Sequence, residues 1–199
     1  MTNEQLRCDF VGGSVGHRLK FGGGRGQALP KAAGFTKGRT PTIIDATAGL
    51  GRDAFLLASL GAQVTLIERS VEMHKILKAG LEKASLEGSP YSEIVERMKL
   101  VLGDAKELLA DLSAEVVLVD PMHPDRGNSA LVKKEMRQIR TLVGPDPDAE
   151  ELMLIALRRA TKRVVLKWPV KAAPLPGLPS ASHQIIGKST RYDVFMIHE

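Results

Sequence analysis

The chain has 199 residues, 43% hydrophobic and 26% charged, which suits one globular domain with a sizeable aliphatic core. Lysine and arginine number 28 against 23 acids, a net charge of +5 with a pI near 9.4, so a polyanionic partner is favoured. No apolar run nears the roughly 18 residues that span a bilayer, so no membrane partner is expected. Met1-Thr-Asn-Glu-Gln5 lacks a secretory pattern. The single cysteine, Cys8, rules out an internal disulfide and suits a reducing cytoplasm, and it is expected to be inert.

Residues 1–40 read as a basic, glycine-rich N-terminal arm, and 41–199 as the main domain. Seven glycines between 10 and 26 oppose a long helix and permit tight turns. Over residues 7–40, Arg7, His17, Arg18, Lys20, Arg25, Lys31, Lys37 and Arg39 stand against one acid, Asp9. A hairpin or loop and then a short helix over 27–34 are expected, either as a flexible arm or as a clamp on cofactor or RNA phosphate.

From Thr42 strands and helices alternate. Strands are predicted at 42–46, 63–67, 99–102, 115–119 and 163–167. Helices are predicted at 52–60, 71–86, 105–111, 129–141 and 148–160. Four prolines between Pro169 and Pro179 make that stretch a loop. Residues 184–186 and 192–197 can pair as a closing hairpin. Such alternation implies a mostly parallel, doubly wound α/β sheet, covered on both faces, with ligands at the carboxyl ends of its strands.

Those ends carry suitable groups. Asp45-Ala-Thr-Ala-Gly-Leu-Gly-Arg-Asp53 closes the first strand, and Gly49 and Gly51 let backbone approach a ligand at a helix start. Glu68 ends the second strand, where a carboxylate can accept both hydroxyls of a ribose. Asp104 follows the third, where an acid can accept from an adenine amine. Asp45 can pair with the amino group of a methionine moiety, and its charge would repel a pyrophosphate. Arg69 could instead hold a 2′-phosphate. The acids favour S-adenosylmethionine over a nicotinamide cofactor.

Asp120-Pro-Met-His-Pro124 follows the fourth strand. A carboxylate and a carbonyl accepting both N–H groups of an exocyclic amine would localise its lone pair for attack on a sulfonium methyl. Pro121 stiffens the loop and supplies a carbonyl, and His123 can stack on an extruded base. Lys133, Arg137 and Arg140 recur at i, i+4 and i+7 and so share a helical face beside this loop, with Lys134 adjacent. They are candidates for phosphate contact, as are Arg18, Lys20 and Arg25. Lys167 and Trp168, after the fifth strand, could also meet RNA, or Trp168 could be core. Histidines and acids show no metal-ligand spacing. A nicotinamide-dependent oxidoreductase and an inactive RNA-binding assembly factor stay open on these residues alone.

The segments Phe10-Val-Gly-Gly-Ser-Val-Gly-His-Arg-Leu-Lys-Phe-Gly-Gly-Gly-Arg-Gly26, Asp45 to Ala54, Asp120-Pro-Met, Ser129-Ala-Leu-Val-Lys-Lys-Glu-Met-Arg137 and Leu142-Val-Gly-Pro-Asp146 resemble the RsmJ family of 16S ribosomal RNA guanine-N2 methyltransferases. The resemblance runs from about Phe10 to the C-terminus. It implies a Rossmann-like class I methyltransferase fold, S-adenosyl-L-methionine as cofactor, and 16S ribosomal RNA or the small ribosomal subunit as partner. By it, Arg52, Asp53, Glu68, Arg69, Asp104, Ala105 and Asp120 fall at cofactor positions. His123 stands where family members usually carry phenylalanine or tyrosine, and only nine residues precede Phe10, where they carry a longer extension.

Overall fold

A computed structural model describes residues 6–12, 15, 16, 24–123, 134–144 and 146–198, with backbone alone for 134–137 and 140. Its described residues form one seven-stranded sheet. The strands are β1 (Ile43–Asp45), β2 (Val64–Glu68), β3 (Met98–Leu102), β4 (Ala114–Val119), β5 (Ala160–Pro169), β6 (His183–Ile186) and β7 (Thr190–Met196). Their order is β3-β2-β1-β4-β5-β7-β6. β1 to β5 run parallel; β7 runs antiparallel to both β5 and β6. The chain winds from β1 outward through β2 to β3, then returns to the other side of β1 as β4. That reversal opens a crevice at the carboxyl ends of β1 and β4.

The helices are α1 (Ala28–Ala32), α2 (Arg52–Ser59), α3 (Val71–Leu86), α4 (Tyr91–Val95), α5 (Ala105–Leu108), α6 (Lys134–Val143) and α7 (Ala149–Arg159), with a 3₁₀ turn at Gly24–Gly26. The strands of the central sheet alternate between two cores, as a pleat of period two requires. Ile43, Leu66, Val116, Leu118 and Val165 pack with α2 and α3 through Phe55, Leu57, Leu77 and Leu81. Ile44, Ile67, Val117, Val119, Val164 and Leu166 pack with α7 through Leu152, Met153 and Ala156. Both faces are therefore apolar, which is why these strands read as nearly continuous apolar runs.

The described part of the N-terminal stretch joins the first core. Leu6, Cys8, Phe10, Val15, Leu29 and Phe35 are buried there. Phe10 stacks on Phe55 with centroids 4.5 Å apart, a contact worth roughly 0.5–1.5 kcal/mol beyond area burial. Gly80 of α3 admits the chain, since a Cβ there would lie 2.7 Å from the Cβ of Cys8. The Cys8 thiol donates to the Leu50 carbonyl at 3.1 Å.

Most element bounds lie within two residues of expectation, and α3 matches it. The sequence reading misses α4, a five-residue helix with one buried residue, Ile94, too short to show a period. β5 extends beyond 163–167 because β7 pairs with it from Arg163 to Pro169. α6 begins at Lys134, and the expected helical residues 129–133 lie outside the described ones.

Candidate active site

Each of the five parallel strands delivers one charged side chain to the same place. Asp45, Glu68, Asp104, Asp120 and Lys167, from the ends of β1 to β5, line a cavity of about 710 Å³. That volume lies within the ~300–1,000 Å³ usual for small-ligand sites. Gly49, Arg52, Asp53, Arg69, Ala105, Pro121 and His123 line it too.

The turn after β1 forms the floor. Gly49 has φ 53° and Gly51 φ 66°, values that L side chains avoid. The Glu68 carboxylate holds this turn: Oε2 accepts the Gly49 N–H at 2.9 Å and Oε1 the Ser70 N–H at 2.8 Å. Ser70 in turn caps α3 by accepting the Met73 N–H. Gly51 sits where backbone meets core rather than ligand: a Cβ there would lie 2.7 Å from Cδ1 of Leu77. Asp104 Oδ1 caps α5 through the Lys106 N–H at 2.8 Å.

Asp45 is buried, and its Oδ1 accepts the Thr47 N–H at 3.2 Å. Burial pushes its pKa up to about 7, with the Thr47 bond opposing and the nearby Asp53 and Asp120 adding to the rise. Burial also raises Glu68, against its two backbone bonds.

Asp120 opens the loop after β4. Its N–H donates to the Thr47 hydroxyl at 2.7 Å, which ties the two crossover loops of the crevice together. Met122 N–H donates to Asp146 Oδ2 at 2.6 Å. His123 meets Trp168 edge-on, centroids 4.7 Å apart. Trp168 is buried, and its indole N–H donates to the Ala173 carbonyl at 2.8 Å. The loop behind it is clamped by Arg191, which donates to the Ala172, Pro169 and Val170 carbonyls and is neutralised by buried Asp193. Trp168 is thus both core and cavity wall.

The β4–β5 register places Lys167 beside Asp120, because Val119 pairs with Leu166. Lys167 Nζ donates to Asp53 Oδ2 at 2.6 Å and to Asp120 Oδ2 at 2.7 Å. Burial lowers its pKa, but Asp120 and Asp53 outweigh burial and hold it above the ordinary lysine value. Expectation gave Lys167 to RNA; it instead joins the cofactor turn to the Asp-Pro loop. Its sequence signal is a cation ending the apolar run Val164–Leu166, the strand position that carries or precedes an acid on β1 to β4. Arg191 has no such signal, because its partners are carbonyls that only the folded loop brings together.

Cations at the rim are likewise paired. Arg69 pairs with Asp146 and Asp148, and Lys106 with Asp148 and Glu151. Arg69 therefore serves the wall of the cavity and is not set up to receive a 2′-phosphate. Arg25 lies elsewhere than expected. Its guanidinium donates to the Thr36, Arg39 and Leu60 carbonyls and to the Thr40 hydroxyl, and it sits 5.5 Å over the Phe35 ring. That is an internal tie before β1, at the opposite end of the strand from the cavity, so a phosphate role for Arg25 is withdrawn. Arg18, Lys20 and Lys133 lie outside the described residues, as do the side chains of Lys134, Arg137 and Arg140.

A buried carboxylate at Asp45, a second at Glu68 and cations already paired make a lining suited to a ligand with an ammonium and a sulfonium, and unsuited to a pyrophosphate. Comparison with known proteins agrees. The sequence model of the family described as "Putative SAM-dependent methyltransferase" matches residues 1–197. The protein named ribosomal RNA small subunit methyltransferase J in Agrobacterium fabrum is 68% identical over 98% of this chain and 94% of its own length. Its namesake in Brucella anthropi is also 68% identical, over 98% and 96%. The chain belongs to the ribosomal RNA small subunit methyltransferase J family. Among solved structures, the SAM-dependent methyltransferase NGO1261 of Neisseria gonorrhoeae superposes with a TM-score of 0.75 at 33% identity, over 98% of this chain and 77% of its own. As a methyltransferase J relative, the protein is an S-adenosylmethionine-dependent methyltransferase with a Rossmann-like fold.

Proposed function

We propose that the protein transfers a methyl group from S-adenosylmethionine to the exocyclic N2 of a guanosine in the 16S ribosomal RNA of the cytoplasmic small subunit. The observation that carries this is the placement of Asp120, held by Lys167 and Thr47, in one cavity with the carboxylates of Asp45 and Glu68 and the His123–Trp168 wall. The names of the relatives support ribosomal RNA as substrate. The N2 position rests on the resemblance of the Asp-Pro-Met loop.

Asp45 suits the amino group of the methionine moiety, Glu68 the ribose, and Asp104 with Ala105 the adenine. Arg52 and Asp53 open α2 beside them. When bound, S-adenosylmethionine supplies an electrophilic methyl whose bonding electron pair stays on sulfur as the thioether leaves. The chain must make a poor nucleophile better. The guanine N2 lone pair is delocalised into the ring. Asp120 accepts one N2–H, and the Pro121 carbonyl accepts the other, which localises the pair toward the methyl. As the N–CH₃ bond forms, the nitrogen loses one proton to Asp120, which passes it to water. His123 stacks on the base, backed by Trp168. Lys134 and its helical neighbours serve the phosphates.

The test is methyl transfer by the purified protein from labelled S-adenosylmethionine to small subunits taken from a strain lacking the gene. Label recovered as N2-methylguanosine is the expected result. Label on another base, or none, would overturn the reading.

A further inference from the structure

The Asp53–Lys167–Asp120 bridge does more than hold a loop. It lies where the base must be read, and its chemistry bears on which base can be read. Lys167 is three-quarters buried, while 40% of the Asp120 side chain stays open toward the cavity. One proton of the ammonium goes to Asp53 and one to Asp120.

The protonation of Asp120 decides what it recognises. An ionised carboxylate only accepts, while a neutral carboxyl offers one donor beside one acceptor. Guanine presents N1–H and N2–H side by side, two donors that match the ionised form. Adenine and cytosine present an amine N–H beside a bare ring nitrogen, which matches the neutral form and repels the ionised one. We infer that Lys167 is the residue that sets base specificity, a positioning residue that keeps Asp120 a carboxylate turned to the cavity. The guanine edge is thereby accepted, and a donor–acceptor edge is refused. The inference rests on guanosine N2 as the methyl acceptor.

The surroundings show why a cation is needed there. Asp120 faces Asp45 from β1, Asp53 from α2, Asp146 from the segment before α7 and Lys167 from β5, with Arg52 at the start of α2 and His123 on its own loop. Burial pushes Asp120 toward the neutral form, Lys167 opposes this, and the charges of Asp53 and Asp146 add to it. Lys167 is the cation in hydrogen-bond contact with both Asp53 and Asp120. Without it Asp120 would lose the ammonium that favours its ionised form, and would more readily carry the proton that makes it a donor.

The experiment compares the full-length wild type with Lys167→Met and Lys167→Arg. Single-turnover methyl transfer is measured from pH 6 to 9, with S-adenosylmethionine binding as the check that each variant is folded. Two acceptor RNAs are used, one carrying guanosine at the target and one carrying 2-aminopurine, which keeps N2 but replaces N1–H with a bare nitrogen. The wild type should prefer guanosine by about a hundred-fold or more, the scale of leaving a buried polar group unpaired. Lys167→Met should lose that preference toward the acid end of the range and show a rate on guanosine that rises with pH, by up to about ten-fold per unit, as one proton leaves Asp120. Lys167→Arg should keep the wild-type profile. Identical pH profiles and preferences in wild type and Lys167→Met would overturn the inference and leave guanosine methylation standing. A wild type that transfers nothing to guanosine removes both. Should Lys167→Met fail to fold, ¹³C-carboxyl NMR of the wild type, assigned with Asp120→Asn, decides. An Asp120 carboxyl ionised at pH 7 supports the inference, and one that is half neutral there overturns it.

Discussion

Glu68 Oε2 accepts the backbone N–H of Gly49 at 2.9 Å, so the acid that ends β2 also shapes the turn that ends β1. One side chain thereby links two neighbouring parallel strands at the point where the cofactor is held. Glu68→Ala removes this bond, the Ser70 bond and the proposed ribose contact. Each charged hydrogen bond is worth about 1.5–3 kcal/mol. S-adenosylmethionine affinity is expected to fall about ten-fold or more. Calorimetry on the folded variant is the check, and an unchanged dissociation constant removes Glu68 from the site.

Asp45 makes cofactor binding depend on pH. In the free protein its carboxyl gains a proton as pH falls through about 7, well above its ordinary 3.8. The proposed partner is an ammonium, which needs the carboxylate. Affinity should therefore be flat above pH 7 and fall below it, by up to about ten-fold per unit. Asp45→Asn should bind weakly with no such slope. Isothermal titration between pH 5.5 and 8.5 tests this, and a wild-type affinity constant across that range contradicts it.

The same shift predicts a stability effect of opposite sense. A carboxyl whose folded pKa is raised binds its proton more tightly folded than unfolded. Its contribution to stability is complete below about 4 and is lost as pH rises through about 7. Asp45→Asn should then be more stable than wild type at pH 8, by roughly 2–4 kcal/mol, and little different at pH 4. Urea unfolding at the two pH values checks the sign; a variant less stable at pH 8 would show that Asp45 is not a strained charge.

These features were partly legible in the sequence. The alternation of apolar runs with 3.6-period segments is enough to place the strands and most helices, because both sheet faces are covered and every central strand must be apolar. Asp45, Glu68, Asp104 and Asp120 could be read one by one, since each follows an apolar run in a fold that collects ligands at strand ends. Pairing across the sheet could not. Lys167 stands 47 residues from Asp120 and 114 from Asp53, and only the strand register brings them together. Arg25 shows the converse. Its basic neighbourhood suggested a phosphate, yet three carbonyls and a hydroxyl of its own chain take its guanidinium.

Asp120 should matter for the chemical step more than for binding. Asp120→Ala leaves the amine lone pair delocalised and strands Lys167 beside Asp53 alone. Single-turnover methyl transfer is expected to drop at least about a hundred-fold, the scale for losing such a positioned group. Cofactor affinity should change far less. Near-normal turnover in the variant would exclude the role.

Lys133, Arg137 and Arg140, which their i, i+4, i+7 spacing puts on one helical face, are predicted to add affinity without sequence information. Replacing Lys133, Arg137 and Arg140 with glutamine should reduce the slope of log affinity against log salt by about 0.7–0.9 for each phosphate no longer neutralised. S-adenosylmethionine affinity should stay the same. RNA binding by wild type and variant at several salt concentrations decides; equal slopes would make this face a solvated surface and shift attention to Arg18 and Lys20.

Methylation of guanosine N2 in the small-subunit RNA is the central claim. The most direct measurement is mass spectrometry of 16S ribosomal RNA nucleosides and fragments from cells lacking the gene, complemented with wild type or with Asp120→Ala. One N2-methylguanosine should disappear in the deletion, return with wild type and stay absent with Asp120→Ala. An unchanged set of N2-methylguanosines in the deletion strain would contradict the claim.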